Sequence, residues 1–387
     1  MTMRRCLGRL AGWLVTGILS AAAPSPAAPA GGAFYPLWRE TPPNTTDMVL
    51  IYQGGRQRSA WVPEEFAPYV ACRDRRDDKE KWLFDGFLII EYVNAKKHAY
   101  EEGLNLPAAD KEDWLDLLAR NFEPGHGLAA LEQTCAQAER RLGRPLRPRQ
   151  FVLTLPEPIE GATNWGQLNG RRLDFNLPAD RVAASEWHID NALAKWRALA
   201  PKHLTLAGFY FVPERTVKSN PRFLPLVAEK VHQHGLRFFW IPYWQAPGAA
   251  EWKAHGFDVA WQQPNHFFHP ELPDSRLQQA CDFARLHGMG MEFEMNDRLL
   301  SRPDTFAPRF DAYLKAFEQA GAKASASITY YEGGGALLHL AQSPKPELRA
   351  QYERLAQWVL DRQRLANEEA SASTARRPKS HAGEGDH

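Results

Sequence analysis

The sequence predicts an α/β fold, specifically a (β/α)8 TIM barrel, and three observations carry that prediction. Eight short apolar segments recur along the chain, and each closes on polar or carboxylate residues. Stretches with helical spacing separate them, as crossovers between parallel strands require. Several of those stretches open after Pro and end at Gly, the ordinary punctuation of helix starts and stops. In this fold the C-terminal strand ends and the loops after them build the active site. The pattern therefore says where chemistry should lie, and leaves open which chemistry it is.

Taken in order, the segments are MVLIYQGG (48–55), FDGFLIIEYVN (84–94), QFVLTLPEP (150–158), LTLAGFYFVPE (204–214), RFFWIPYWQ (237–245), DVAWQQPNHFF (258–268), MGMEFEMND (289–297) and SASITYYEGGG (325–335). After the first, residues 56–83 hold the charge run RDRRDDKEK (73–81), read as a solvated loop or helix face. After the second, 111–120 and 126–142 set Trp114, Leu117, Leu118, Leu128, Leu131 and Cys135 at helical spacing. The third is followed by a long polar loop, 159–178, on the active-site side. Its Trp165 reads either as a lid over a substrate or as a cover for the barrel rim. A helix over 179–199 then starts after Pro178. Further helices are expected over 221–234, 249–256, 273–287, 303–320 and 346–365. No internal sequence repeat accompanies the repeated pattern.

The ends differ from this body. Residues 1–30 read as a secretory signal: Arg4, Arg5 and Arg9 precede an apolar run over 10–23, and Ala28-Pro29-Ala30 offers a cleavage site. An uncleaved anchor is the alternative reading. The run is short for a membrane span, so the expected product is exported, periplasmic or extracellular, with no span after cleavage. Residues 31–45 form a lead-in, 46–365 a single barrel domain, and 366–387 a small, charged tail expected to be disordered. Removing 1–30 deletes three arginines and no acid, which takes the net charge from +1 to −2. That balance argues against nucleic acid as the main partner. Cys72, Cys135 and Cys281 remain. Export permits a Cys72–Cys135 bridge, but an odd count without framework spacing does not call for one.

Six acids lie in or at the ends of strands: Glu91, Glu157, Glu214, Glu292, Glu294 and Glu332. Strands covered on both faces should be mostly apolar, so these need partners or a function. In the seventh segment Met291, Phe293 and Met295 alternate with Glu292, Glu294 and Asn296. Alternation across a strand then turns the polar set toward the barrel axis, with Glu294 nearer the mouth. In the fourth, Glu214 falls in phase with Gly208 and Tyr210, subject to any shift at Pro213. Two carboxyls at one mouth suit glycoside cleavage. One protonates the leaving oxygen, and the other attacks the anomeric carbon or activates water.

Acids at the ends of strands four and seven resemble the 4/7 clan of retaining (β/α)8 glycosidases. The resemblance implies that Glu214 is the acid/base and Glu294 the nucleophile. The clan has Asn before the acid, where this chain has Pro213. More closely, WIPYWQAPGAAEWKAHGFDVAWQQPNHFF and FEMND resemble a bacterial family of uncharacterised glycosidase-like barrels, over nearly all of 45–365. That family brings a fold and no activity.

The remaining candidates would bind substrate. They are Glu91, Trp165, Tyr210, Tyr243 and Trp244, then Gln262, Gln263, Asn265, Asn296, Tyr330 and Glu332. Amides would bond sugar hydroxyls and aromatic rings would stack on sugar C–H faces. The expected partner is a polysaccharide or glycan. No cofactor or metal is expected. His266 and His269 are the only close histidine pair near a mouth, and neither a dinucleotide fingerprint, a phosphate loop nor a nucleophile elbow occurs. Gly333–Gly335 could hold a phosphate or simply turn the chain. Two functions stay open: an exported glycoside hydrolase, and a non-catalytic glycan-binding or envelope scaffold barrel.

Overall fold

The computed structural model describes residues 32–35, 45–55, 58–217 and 220–376. The segment read as a signal, most of the lead-in and residues 377–387 lie outside the described residues. Eight parallel strands close a barrel: β1 (Asp47–Tyr52), β2 (Gly86–Ile90), β3 (Arg149–Leu155), β4 (Leu204–Phe211), β5 (Arg237–Trp240), β6 (Val259–Gln262), β7 (Gly290–Glu294) and β8 (Ile328–Tyr331). Each pairs with its neighbours in sequence, and β8 returns to β1, so the sheet has no edge. Among the described residues, two short hairpins lie outside the barrel.

Helices cover the strands: α1 (Pro63–Val70), α2 (Lys111–Asn121), α3 (Gly127–Leu142), α4 (Pro178–Leu199), α5 (Asn220–His232), α6 (Ser275–His287), α7 (Arg298–Ser301), α8 (Pro303–Gln319), α9 (Ala322–Ser325), α10 (Ala336–Ala341) and α11 (Pro346–Arg376). Local chemistry fixes several starts. In α2, Asp110 accepts from the Asp113 N–H at 2.9 Å, and Asp113 accepts from the Asp110 N–H at 3.0 Å, a reciprocal cap. Strand alternation sorts the core. Met48, Leu50 and Tyr52 turn into the barrel with Leu88, Tyr210 and Trp261, while Val49 and Ile51 join the helical shell.

Two expectations change, and a third, the solvated loop at 73–81, narrows to a hairpin turn. Residues 249–256 form successive turns instead of a helix; the stretch is too short to sustain one and is bounded by Gly248 and Gly256. The charge run 73–81 forms the turn of a hairpin (Ala71–Arg73 with Glu80–Trp82), where Asp74 pairs with Arg76 at 3.0 Å. The last helix continues past 365 to Arg376, with Ala366 buried against the body. Cys72, Cys135 and Cys281 are free and buried, and burial pushes each thiol up to about 12.

The floor of the barrel is tied by α11. Arg362, fully buried, donates to Asp47 Oδ1 at 2.7 Å and to the carbonyls of Thr46, Ala322, Lys323 and Ala326. Tyr330 donates to the same Asp47 oxygen at 2.5 Å. Near the middle, the β3–β4 register slips by one residue, so that Phe151 faces Leu206 but Val152 faces Gly208. Gly208 has φ +154°, and a Cβ there would lie 1.8 Å from the Arg237 carbonyl oxygen. Only glycine fits this bulge. It leaves Leu206 facing the shell and Tyr210 facing the barrel.

Candidate active site

Strand β7 sets the centre of the site. Phe293 packs outward among Phe310, Tyr313 and Phe317, which leaves Glu292 and Glu294 on the inward side. Parallel register sets Glu292 beside Thr329 and Glu294 beside Tyr331 on β8. Glu294 is 1% exposed. Its Oε2 accepts from the Tyr313 hydroxyl and, at 3.2 Å, from the His266 N–H. Its Oε1 accepts a longer bond from Asn265 Nδ2 at 3.4 Å. Burial pushes this carboxyl up to about 7; the Tyr313 and His266 bonds oppose the rise, and the charge of Glu214 adds to it.

Glu214 stands three residues past β4 and is half-buried. Its Oε1 accepts from the Tyr92 hydroxyl at 2.8 Å. Burial holds it above the usual carboxylate range, opposed by Tyr92 and by the nearby Gln263 amide. The Gln263 and Asn265 amides lie beside the two acids. Asn265 Nδ2 donates to Gln263 Oε1 at 2.8 Å as well as to Glu294, and Asn265 Oδ1 accepts from the Trp244 N–H at 2.5 Å. Gln263 Nε2 is anchored on the Ile241 carbonyl at 3.1 Å. Asn265 adopts φ +49°, a left-handed conformation that Asn tolerates well among side-chain-bearing residues. Two hydrogen-bonded strings, Tyr92–Glu214 and Gln263–Asn265–Glu294–Tyr313, thus line the mouth, with Gln263 beside Glu214.

Glu292, below Glu294, is pushed far above the carboxylate range by burial and then by the charges of Glu294 and Glu214. Glu91 sits at the mouth in a two-pronged ion pair with Arg58, at 2.8 and 3.1 Å. Arg58 in turn lies over the Tyr52 ring at 4.0 Å. Glu157 lies two residues past β3 and faces Arg181 at 3.6 Å. Burial outweighs their attraction: Glu157 rises to about 7 while Arg181 falls below its ordinary value.

Other expected site residues fall on both sides of the wall. Tyr210 lies inside the barrel, and Tyr243 binds the Glu214 carbonyl through its own N–H at 3.2 Å. Asn296 accepts from the Arg298 N–H at 3.0 Å and starts α7. Five positions are corrected. Trp165 is 1% exposed and packs with Trp114, Phe175 and Trp187 in a separate small core, so it covers the rim and not a substrate. Tyr330 faces the shell, against Phe293 and Trp358; Tyr331 takes the inward place. Glu332 accepts from the Tyr69 hydroxyl at 3.0 Å and the Leu337 N–H at 2.6 Å, tying α1 to α10. Gln262 shares the outward phase of Ala260 and bonds the Pro242 and Gln263 carbonyls. The Trp244 ring packs against Phe283 of α6 beneath Arg276, not over the mouth.

Sequence reasoning missed Arg58, Tyr92, Glu101 and Tyr313. Glu101, in the loop after β2, is pushed up to about 9 by burial and by the charges of Glu214 and Glu157. Tyr92 was readable as a polar-tipped residue next to Glu91. Tyr313 was not, because it sits on the buried face of α8 like any core aromatic. Among the described residues, no group of three or more His, Cys, Asp or Glu is placed to hold a metal ion, and no helix is long and apolar enough to cross a membrane.

Residues 47–357 match the family described as "Domain of unknown function (DUF4855)". No curated protein matches this chain. Similar solved structures include the tryptophan synthase alpha-subunit of Pyrococcus furiosus, at 10% identity over 85% of this chain and 99% of that one, with a TM-score of 0.37. They also include a psychrophilic glycoside hydrolase family 10 endo-beta-1,4-xylanase, at 8% identity over 74% of this chain and 86% of that one, with a TM-score of 0.40.

Proposed function

We propose that this chain, which belongs to the DUF4855 family, is an exported glycoside hydrolase that cleaves a polysaccharide or glycan with retention of configuration. One observation carries the reading: carboxyls from the ends of β4 and β7 stand at the barrel mouth, each held by a tyrosine hydroxyl, with the Gln263 and Asn265 amides beside them. Glu294, bonded by Tyr313, His266 and Asn265, is the better equipped to hold negative charge and is the nucleophile. Its Oε1 has the weaker bond and is the attacking atom. Glu214 reaches solvent, has its carboxyl raised by burial, and serves as the acid that protonates the leaving oxygen. After glycosyl transfer to Glu294 it would take a proton from the incoming water.

The test is turnover on a glycan panel, with Glu294→Gln and Glu214→Gln as controls and the anomeric configuration of the first product read by NMR. Hydrolysis that survives Glu294→Gln removes the nucleophile assignment. A second reading, a glycan-binding barrel without chemistry, is favoured by the 1% exposure of Glu294. Binding to the same panel with no hydrolysis under any condition would select it.

A further inference from the structure

Glu292 is the one acid of β7 that neither the catalytic pair nor an ion pair accounts for. It lies inside the barrel, 1% exposed, one alternation below Glu294. Its Oε1 has no hydrogen-bond partner, and neither has the hydroxyl of Thr329, its registered neighbour on β8. The ionisable groups facing it are Glu294 on its own strand, Glu214 and Tyr210 from the β4 side, and Tyr331 on β8. None is a cation. A lone carboxylate in such a place would lack water, partner and countercharge, a state so costly that buried acids take up a proton instead.

We propose that Glu292 is a permanently protonated acid in the working protein, a positioning residue whose neutrality lets Glu294 carry the only negative charge on the inner face of β7. Were Glu292 ionised, two charges would stand one alternation apart, and Glu294 would be driven to its protonated, non-nucleophilic form. The proton on Glu292 therefore keeps the attacking carboxylate available. The inference borrows from the glycosidase reading only the name of what Glu294 does.

Its test needs no substrate, so a protein without hydrolase activity still passes or fails it. Infrared difference spectra of the full chain at pH 7 should show a protonated-carboxyl stretch that Glu292→Gln removes and Glu294→Gln leaves in place. Loss of carboxylate bands in Glu292→Gln instead would overturn the proposal. Thermal denaturation gives a second reading. The folded protein would keep a proton that the unfolded chain releases above its ordinary glutamate value, near pH 4.3, so wild type should lose stability relative to Glu292→Gln as pH rises from 5 to 8. A melting-temperature difference that stays constant over that range overturns it equally. Should Glu292→Gln not accumulate, Glu292→Met must give the same two results.

Discussion

Tyr92 donates its hydroxyl to Glu214 Oε1 at 2.8 Å, across the mouth from the end of β2 to the end of β4. The bond favours the ionised acid, yet burial still holds Glu214 above the usual range. Removing the hydroxyl with Tyr92→Phe should raise Glu214 further, by about one pH unit if the bond is worth roughly 1.4 kcal/mol. The limb of the kcat/KM profile that Glu214 sets should move up accordingly, while the limb set by Glu294 stays.

Tyr313→Phe makes the opposite test. Glu294, at about 7, then loses one of the bonds that hold its value down. The limb that Glu294 sets should shift to higher pH, and kcat/KM at pH 6 should fall by about tenfold if one hydrogen bond to the carboxylate is lost. A profile unchanged on both limbs would mean that Glu294 is not the group that must ionise.

Glu101 offers a stability test. Its folded value of about 9 lies far above that of an unfolded glutamate. The stability it contributes is fully present below the unfolded value and is lost as pH rises through the folded one. Melting temperatures of wild type should fall from pH 5 to pH 9 more steeply than those of Glu101→Gln. Parallel curves would show that Glu101 titrates normally.

Trp165→Ala separates rim from site. Emptying its place among Trp114, Phe175 and Trp187 should cost about 3–5 kcal/mol in urea unfolding, with KM for any hydrolysed glycan unchanged. A raised KM at intact stability would return Trp165 to the substrate.

The barrel was legible because alternation and helix punctuation act locally. The inward phase of Glu292 and Glu294 followed from their apolar neighbours Met291, Phe293 and Met295. The errors came where that local rule stops. Two adjacent tyrosines close β8, and alternation allows only one of them inside; Thr329 and Tyr331 share that side, so Tyr330 goes to the shell. Glu332 lies past the strand, where a helix start decides its direction. Tyr313 comes from a helix far along the chain and meets Glu294 only through tertiary packing. The contacts of Asn265 with Gln263 and Glu294 depend on a left-handed residue that no pattern of hydrophobicity announces.

The Arg362 tie has a temporal side. Asp47, at the first position of the first strand, is buried, and the guanidinium facing it is 315 residues away along the chain. Until Arg362 has been made and has docked, β1 holds a buried carboxyl without its cation, and the carbonyls of residues 322, 323 and 326 lack their shared donor. A nascent polypeptide released short of residue 362 should stay expanded and protease-sensitive, however many strands it already contains.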